Sequence, residues 1–350
     1  MTTFVPVGGF LGAGKTTLIL AASRVLAAAG KRAAVILNDQ GSALVDTTYV
    51  EQNGVTADQV TGGCFCCRFS DFIDAAQRLR AFSPDVIFAE AVGSCTDISA
   101  TTLQPLKRDY ADQFRLAPYS VLVDPARAKE LAKPKVNADL AFLFQKQIEE
   151  ADLVCFTKAD LYSEFPSLGA APTRYLSGLT GDGVAAWLDE ILLGQMQAGQ
   201  KILEIDYERY ARAEAKLAWL NLKATIELDT ALSPAMVIGP LIDELDAALT
   251  AHGFEIAHLK VLDDSPSGSL KASLVRNSDE QVVDGMRDAS PALVHNLLLN
   301  IRAAGEPAAL RRLVETQLAR LPGEIDIESM QCFSPAPPKP EQRLSFVVGS

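Results

Sequence analysis

Gly8-Gly9-Phe10-Leu11-Gly12-Ala13-Gly14-Lys15-Thr16-Thr17 decides how this chain is read. From Gly9 to Thr16 it spells G-x-x-x-x-G-K-T, the phosphate-binding loop pattern. Residues 3–7 before it form a short apolar run suited to a strand, and residues 16–29 after it suit a helix. A strand, a glycine turn and a helix N-terminus gather backbone N–H groups and the positive helix end around one anion. Glycine permits close approach and unusual dihedrals, Lys15 supplies charge, and the Thr16 hydroxyl suits a Mg²⁺ ion. A plain strand-to-helix turn is the bland alternative, but it would not need eight fixed positions in this context.

The chain has 350 residues, enough for two domains that each bury a core. Hydrophobic residues make up 48% and charged residues 22%, an ordinary globular composition. The net charge of −12 argues against nucleic acid and anionic membrane, both of which attract a basic face. The start, Met1-Thr2-Thr3-Phe4-Val5-Pro6, lacks the charged and apolar regions of a signal peptide, and no apolar run reaches membrane-spanning length. A cytoplasmic location with reduced thiols is therefore expected.

The first half alternates strand and helix signals. Apolar runs at 32–37, 85–89, 120–123 and 153–156 end at Asn38, Glu90, Asp124 and Thr157, and a weaker run covers 174–176. Helical patterns lie at 71–82, 138–150 and 184–193. Continuous apolar strands spaced by helices mean an α/β fold with a mostly parallel sheet covered on both faces. Ligands bind such sheets outside the carboxyl ends of the strands, where these four polar residues lie. The division expected is a P-loop domain over 1–200, a helical linker over 201–222, a smaller α+β domain over 223–332 with a βαββαβ kernel, and a proline-rich tail over 333–350 without fixed structure.

The motifs downstream narrow the nucleotide. Thr157-Lys158-Ala159-Asp160 follows a strand, as a guanine-reading N/T-K-x-D loop does. Asp160 would accept from the guanine N1–H and exocyclic amine, donors that adenine lacks, and the Lys158 stem would cover the base. Ser177-Gly178-Leu179-Thr180-Gly181-Asp182-Gly183 suits a final base-contacting loop. The alternative for Asp160 is a helix cap. Glu90-Ala91-Val92-Gly93 resembles the Asp-x-x-Gly of many GTPases, whose carboxylate organises Mg²⁺ and whose glycine N–H meets the terminal phosphate; a strand-end carboxylate at a turn is the alternative. Asn38-Asp39-Gln40-Gly41 and Asp46 form a polar loop placed like a nucleotide-sensing switch, or else a plain turn.

Gly62-Gly63-Cys64-Phe65-Cys66-Cys67 holds three of the six cysteines. Thiolates suit Zn²⁺ and similar ions. In an extended strand Cys64 and Cys66 would share a side and Cys67 would oppose them, so convergence needs a bend that the two glycines allow. Three sulfurs leave a tetrahedral ion one open position, as an exchanging site needs. Redox thiols and inert buried cysteines are the alternatives. Cys95 could approach this loop or the phosphates, but a small buried thiol is the favoured reading.

Together these motifs resemble the CobW family of the CobW/HypB/UreG GTPases. Gly9–Thr17 matches G-x-L-G-x-G-K-T-T, and Asn38-Asp39-Gln40-Gly41 to Asp46 matches N-E-F-G-x-x-x-x-D. Gly63–Cys67, Glu90–Gly93 and Thr157–Asp160 match the remaining patterns in order. The resemblance covers about residues 1–195. It implies a slow GTPase tied to delivery of a metal ion or metallocofactor, with a client metalloprotein or cofactor-dependent enzyme as partner, and a homodimer is kept as a candidate assembly. GTP would contact Gly9, Gly12, Ala13, Gly14, Lys15, Thr16, Thr17, Thr157, Lys158, Asp160 and Ser177. Mg²⁺ would meet Thr16, Asp39 and Glu90, catalysis would use Lys15, Glu90 and Gly93, and Cys64, Cys66 and Cys67 would hold Zn²⁺ or a similar metal. Asp39 replaces the family's Glu, and Val92-Gly93-Ser94-Cys95-Thr96-Asp97 departs from the usual run. Rival readings are an assembly partner of a corrinoid enzyme and a small-molecule P-loop kinase.

Overall fold

The computed structural model describes residues 1–42, 44–133 and 137–349. The chain divides into two compact units. The first comprises 1–40, 50–213 and 337–350, and the second 41–49 and 214–336.

The first unit opens with β1 (Thr2–Gly9), α1 (Lys15–Ala28) and β2 (Ala33–Asn38). Helix α2 (Val45–Gln52) begins in the second unit; β3 (Thr56–Val60), α3 (Phe69–Arg80) and β4 (Val86–Glu90) then continue the first. A π-helical turn (Ser99–Leu103), α4 (Gln104–Asp109), β5 (Phe114–Leu116), β6 (Ser120–Val123), α5 (Pro125–Leu131) and α6 (Ala138–Glu150) follow. Strands β7 (Leu153–Phe156) and β8 (Thr173–Tyr175) and helices α7 (Val184–Leu192) and α8 (Tyr207–Glu214) come last. The sheet order is β3-β2-β4-β1-β6-β7-β8, with β5 beside β1, and every pair is parallel. The central strands are buried throughout, which is why they read as unbroken apolar runs. Strand order reverses about β1, so the crevice opens at its carboxyl end, where Gly8–Gly14 lies.

The second unit holds β9 (Leu217–Leu232), α9 (Pro234–Ala251), β10 (Glu255–Ser265), β11 (Gly268–Leu274), β12 (Val282–Gly285), β13 (Ala292–Ala304), α10 (Pro307–Leu318) and β14 (Glu324–Phe333). Its antiparallel sheet runs β12-β11-β10-β13-β9-β14. Without the β11–β12 hairpin the remainder is βαββαβ, as expected from the sequence. Leu241, Ile242, Leu245, Leu310 and Val314 of the two helices pack onto Leu220, Leu222, Leu259, Leu299 and Ile301 of the sheet. The segment 41–49 also belongs to this unit. Val45 N–H donates to Asn300 Oδ1 at 3.0 Å, Lys260 Nζ meets Asp46 Oδ2 at 2.5 Å, and Lys271 Nζ lies 3.6 Å from the Tyr49 ring centroid.

Two expectations change. The residues expected as a helical linker over 201–222 contain only one helical stretch, Tyr207–Glu214, and Leu217 already starts β9. The reason is burial: Leu217 to Leu222 are all buried, with both faces covered, so the alternation that marks a strand is missing. The tail expected to lack structure is anchored from Pro337 onward in the first unit, with Pro338 and Leu344 buried.

Candidate functional site

The phosphate loop takes the conformation its glycines permit. Gly9, Gly12 and Gly14 have φ of 129°, 78° and 82°, and Gly14 caps α1. Lys15 Nζ donates to the carbonyls of Gly9 at 2.9 Å and Phe10 at 3.4 Å, holding the ammonium across its own loop. The Thr16 hydroxyl donates to Glu90 Oε2 at 2.9 Å, so the two groups expected to share Mg²⁺ do meet. Both are buried. Gly93 presses on the same loop: a Cβ there would lie 2.9 Å from Leu11 N. Asp39 is half-buried at the end of β2, its N–H donating to Val60 O at 3.1 Å.

The loops after β7 and β8 brace this cradle. The Thr157 hydroxyl donates to Ala13 O at 2.8 Å, so its side chain supports the phosphate loop from behind. Lys158 has φ +55° and pairs with Asp124 Oδ2 at 2.7 Å, while Asp124 Oδ1 caps α5 through Ala126 N–H. Asp124 is thus a positioning residue that the sequence marked only as a polar strand end. Asp160 is exposed. Ser177 is buried, its Oγ accepting from Thr180 N–H, and Gly178 lies against α1, where a Cβ would be 2.9 Å from Leu18 N.

The cysteine loop is bent, as convergence required. Cys67 N–H and Arg68 N–H both donate to Cys64 O, closing a turn, with Gly62 at φ +76° just before it. Asn38 fastens it to β2: Nδ2 donates to Val60 O and Gly63 O, and Oδ1 accepts from Phe65 N–H at 2.8 Å. The Sγ atoms of Cys64, Cys66 and Cys67 are 2.8, 3.3 and 3.7 Å apart, all within 4.8 Å. Zn–S bonds of about 2.3 Å at tetrahedral angles separate sulfurs by about 3.8 Å. The Cys66–Cys67 separation matches that spacing, Cys64 would have to move outward from both partners, and the donor set has the softness for such an ion. Hydrogen bonding with Cys66, then Cys67 and Cys95, holds the Cys64 thiol well below its ordinary range. The hydrogen bond shared with Cys64 is the main cause that pushes Cys66 up and Cys67 to about 11. A metal ion bound there would replace the protons of these thiols.

A family model described as the CobW/HypB/UreG nucleotide-binding domain matches residues 3–176. Those residues belong to the CobW/HypB/UreG family. A zinc chaperone CobW of Sinorhizobium sp is 30% identical over 179 residues, 44% of this chain and 50% of the relative. The match therefore spans half of that relative's length. HypB from Helicobacter pylori, solved in complex with nickel, is similar with a TM-score of 0.42 and 19% identity over 55% of this chain and 86% of its own. Zn(II)-bound YjiA GTPase from E. coli is similar with a TM-score of 0.33 and 15% identity over 91% and 98%.

Asp46, the last residue of the second motif, pairs with Lys260 inside the second unit. Cys95 lies on the loop after Gly93, and its thiol hydrogen-bonds Cys64. That loop is gripped by α6: Gln147 Nε2 donates to Gly93 O and Cys95 O, and Glu150 accepts from the Thr96 hydroxyl at 3.0 Å and Ser99 N–H at 3.2 Å. Gln147 and Glu150 carried no sequence motif. Their only signal was polarity on the buried stripe of an amphipathic helix. His252, His258 and His295 all lie in the second unit, where His295 pairs with buried Asp263 at 2.7 Å. Among the described residues no helix is long and apolar enough to cross a membrane.

Proposed function

We propose that this chain binds and hydrolyses GTP with Mg²⁺ and uses the cycle to control a Zn²⁺-like ion bound by Cys64, Cys66 and Cys67, for delivery to a client protein. The observation that carries the reading is that one loop, Glu90 to Cys95, touches both sites. At one end Glu90 receives the Thr16 hydroxyl and Gly93 abuts Leu11; at the other the Cys95 thiol meets Cys64. Lys15 and the glycine amides would neutralise phosphate charge, Thr16 and Glu90 would orient Mg²⁺ and the attacking water, and no covalent intermediate is needed. Without an arginine finger such sites turn over on the order of 10⁻⁴ to 10⁻³ s⁻¹, a rate suited to one event per delivery. Asp39 would join the Mg²⁺ site, and Thr157, Lys158, Asp160 and Ser177 would contact the guanine nucleotide.

Titration of the reduced protein with Zn²⁺, in the presence of a GTP analogue and then of GDP, tests the reading. One equivalent should bind, the two affinities should differ about fivefold or more, and the nucleotide affinities should differ by the same factor with metal, as linkage requires. Equal zinc affinities sink the coupling, and unchanged stoichiometry in Cys66→Ala sinks the ligand assignment. Co-purification of a corrinoid protein with a metal-free chain would favour the assembly-partner alternative.

A further inference from the structure

The chain returns to the thiol site at its far end. Lys339 N–H donates to Cys67 Sγ at 3.1 Å, and Glu341 N–H donates to Cys66 O at 2.9 Å. The Glu341 carboxylate accepts from both Ser70 N–H at 3.0 Å and Ser70 Oγ–H at 2.7 Å, on the first turn of α3 just past the cysteines. An anionic group at that position also meets the positive end of the helix. Arg343 pairs with Asp97 at 2.7 Å and donates to Leu203 O at 2.7 Å. Leu344 is 5% exposed, and its N–H donates to Ala100 O at 2.9 Å. Val348 N–H reaches Gln104 Oε1 at 2.7 Å.

These contacts are organised, not incidental. Proline at 337, 338 and 340 holds the segment extended, so it spans distance with little entropy to lose. Its anchors run first along the cysteine loop and the start of α3, then along 97–104, the continuation of the Glu90–Cys95 loop. Asp97 shows this best. It is 1% exposed at φ +62°, a costly conformation for a non-glycine residue, and it spends its carboxylate on Arg343 and the Tyr207 hydroxyl. The segment is therefore tied to both parts of the machinery proposed above.

We propose that residues 337–344 are a strap belonging to the metal site: its Lys339 amide holds the Cys67 sulfur, and it must lift before metal enters or leaves. An N–H donated to a sulfur lowers the charge that sulfur offers a metal and fixes its direction, as outer partners of metal ligands do. Lifting breaks several hydrogen bonds and one ion pair on a segment with few buried side chains, which is the kind of local opening that precedes global unfolding. Because Arg343 is held by the loop that carries Glu90 and Gly93, nucleotide state would bias the strap as well as the sulfurs. The proposal rests on the metal reading for its purpose, while its physical content is tested without metal.

Two readouts suffice. In the metal-free reduced protein, alkylation of Cys67 is followed by mass spectrometry. In the zinc-loaded protein, transfer to a coloured chelator is timed. Arg343→Ala combined with Glu341→Ala removes anchors distant from the sulfurs, and should speed both by about fivefold or more, given net worths near 1 kcal/mol per bond and 1.4 kcal/mol per tenfold. Lys339→Pro deletes the N–H along with the side chain, at a position already in a proline-extended segment, and should do the same, whereas Lys339→Ala loses only the side chain and should match the parent. Unchanged alkylation and transfer in the anchor variant overturn the strap, as does equal behaviour of Lys339→Pro and Lys339→Ala. A chain that binds no zinc but whose Cys67 alkylation responds supports the strap and overturns the metal reading instead.

Discussion

A few side chains set the chemistry, and each is placed by a neighbour that the motifs do not contain. Lys158 is the case with the clearest consequence. Its left-handed backbone turns the residue out of the β7 strand direction, and Asp124 fixes the ammonium at 2.7 Å. That leaves Asp160 exposed at the rim of the cradle, where a base would meet it. Asp160→Asn replaces an acceptor of two guanine donors with a group that must donate once. Hydrogen bonds to charged groups are worth about 1.5–3 kcal/mol, so GDP affinity should fall roughly tenfold to a hundredfold while ADP affinity stays as it was. Calorimetric titration with both nucleotides reads this directly. A silent Asp160→Asn would turn the assignment towards an ATP-using kinase. Gly9 to Thr16, Glu90, Gly93 and the three cysteines were legible because their chemistry depends on residue type at fixed local spacing. Asn38 and Asp124 were legible as polar strand ends, but not for what they hold: the partners of Asn38 lie more than twenty residues away, and no local pattern encodes them.

At the scale of elements, α6 shows how a helix can serve two neighbours. Leu140, Leu143, Phe144 and Ile148 give it a buried stripe, and Asn137 caps its start. Gln147 and Glu150 extend that stripe with polar groups aimed at the 93–99 loop. Burial first, and then the nearby Asp97, push the Glu150 carboxyl up to about 8 from an ordinary 4.5. The folded state therefore holds the proton more tightly than the unfolded state. The resulting stability is complete below about pH 4.5 and is lost as pH rises through about 8. Each tenfold difference in proton affinity between the folded and unfolded chain corresponds to about 1.4 kcal/mol, so the loss between pH 5 and pH 9 is on the order of a few kcal/mol. Glu150→Gln keeps an acceptor for Ser99 N–H and places an amide donor towards the Thr96 hydroxyl, without a titrating proton. Its melting temperature should gain steadily on the parent's from pH 6 to pH 9, as read by thermal unfolding in matched buffers. A constant difference across that range would show that Glu150 does not titrate there. The sequence announced α6 in full because its periodicity is strong. It missed β3, an edge strand whose first four residues are exposed or half-buried, and the start of β9, whose two covered faces mimic a continuous apolar helix.

At the scale of the whole chain, the two units are not consecutive pieces of sequence, and this is what the sequence could least show. Residues 41–49 leave the phosphate-loop unit to join the antiparallel sheet, and 337–350 return from that sheet to the thiol site. Both excursions are short, low in periodicity and held mainly by polar contacts, so hydrophobic patterning gives them no mark. Yet they follow directly on Asp39 and run past Cys67, so each carries one functional segment into a second structural context. Consider 41–49 within its own unit. Asn300 sits on β13, is 3% exposed and accepts from Val45 N–H at 3.0 Å, while its Nδ2 donates to Asn221 Oδ1 on the adjacent β9. Lys260 on β10 adds the ion pair to Asp46. These groups are arranged across three neighbouring strands, so the sheet acts as a rigid seat for the segment. Asn300→Ala should leave Val45 N–H without its acceptor, and a net hydrogen bond near 1 kcal/mol corresponds to about fivefold faster amide exchange at Val45. Adding Lys260→Ala should raise the effect further, because both groups hold one segment and their losses compound. Amides in the middle of the β10–β13 ladder, such as those of Leu259 and Ile301, should exchange as before. Hydrogen exchange followed residue by residue separates the two outcomes: faster exchange confined to 44–49 identifies a seated segment, and faster exchange across the sheet would identify Asn300 as a core residue whose loss loosens the whole unit.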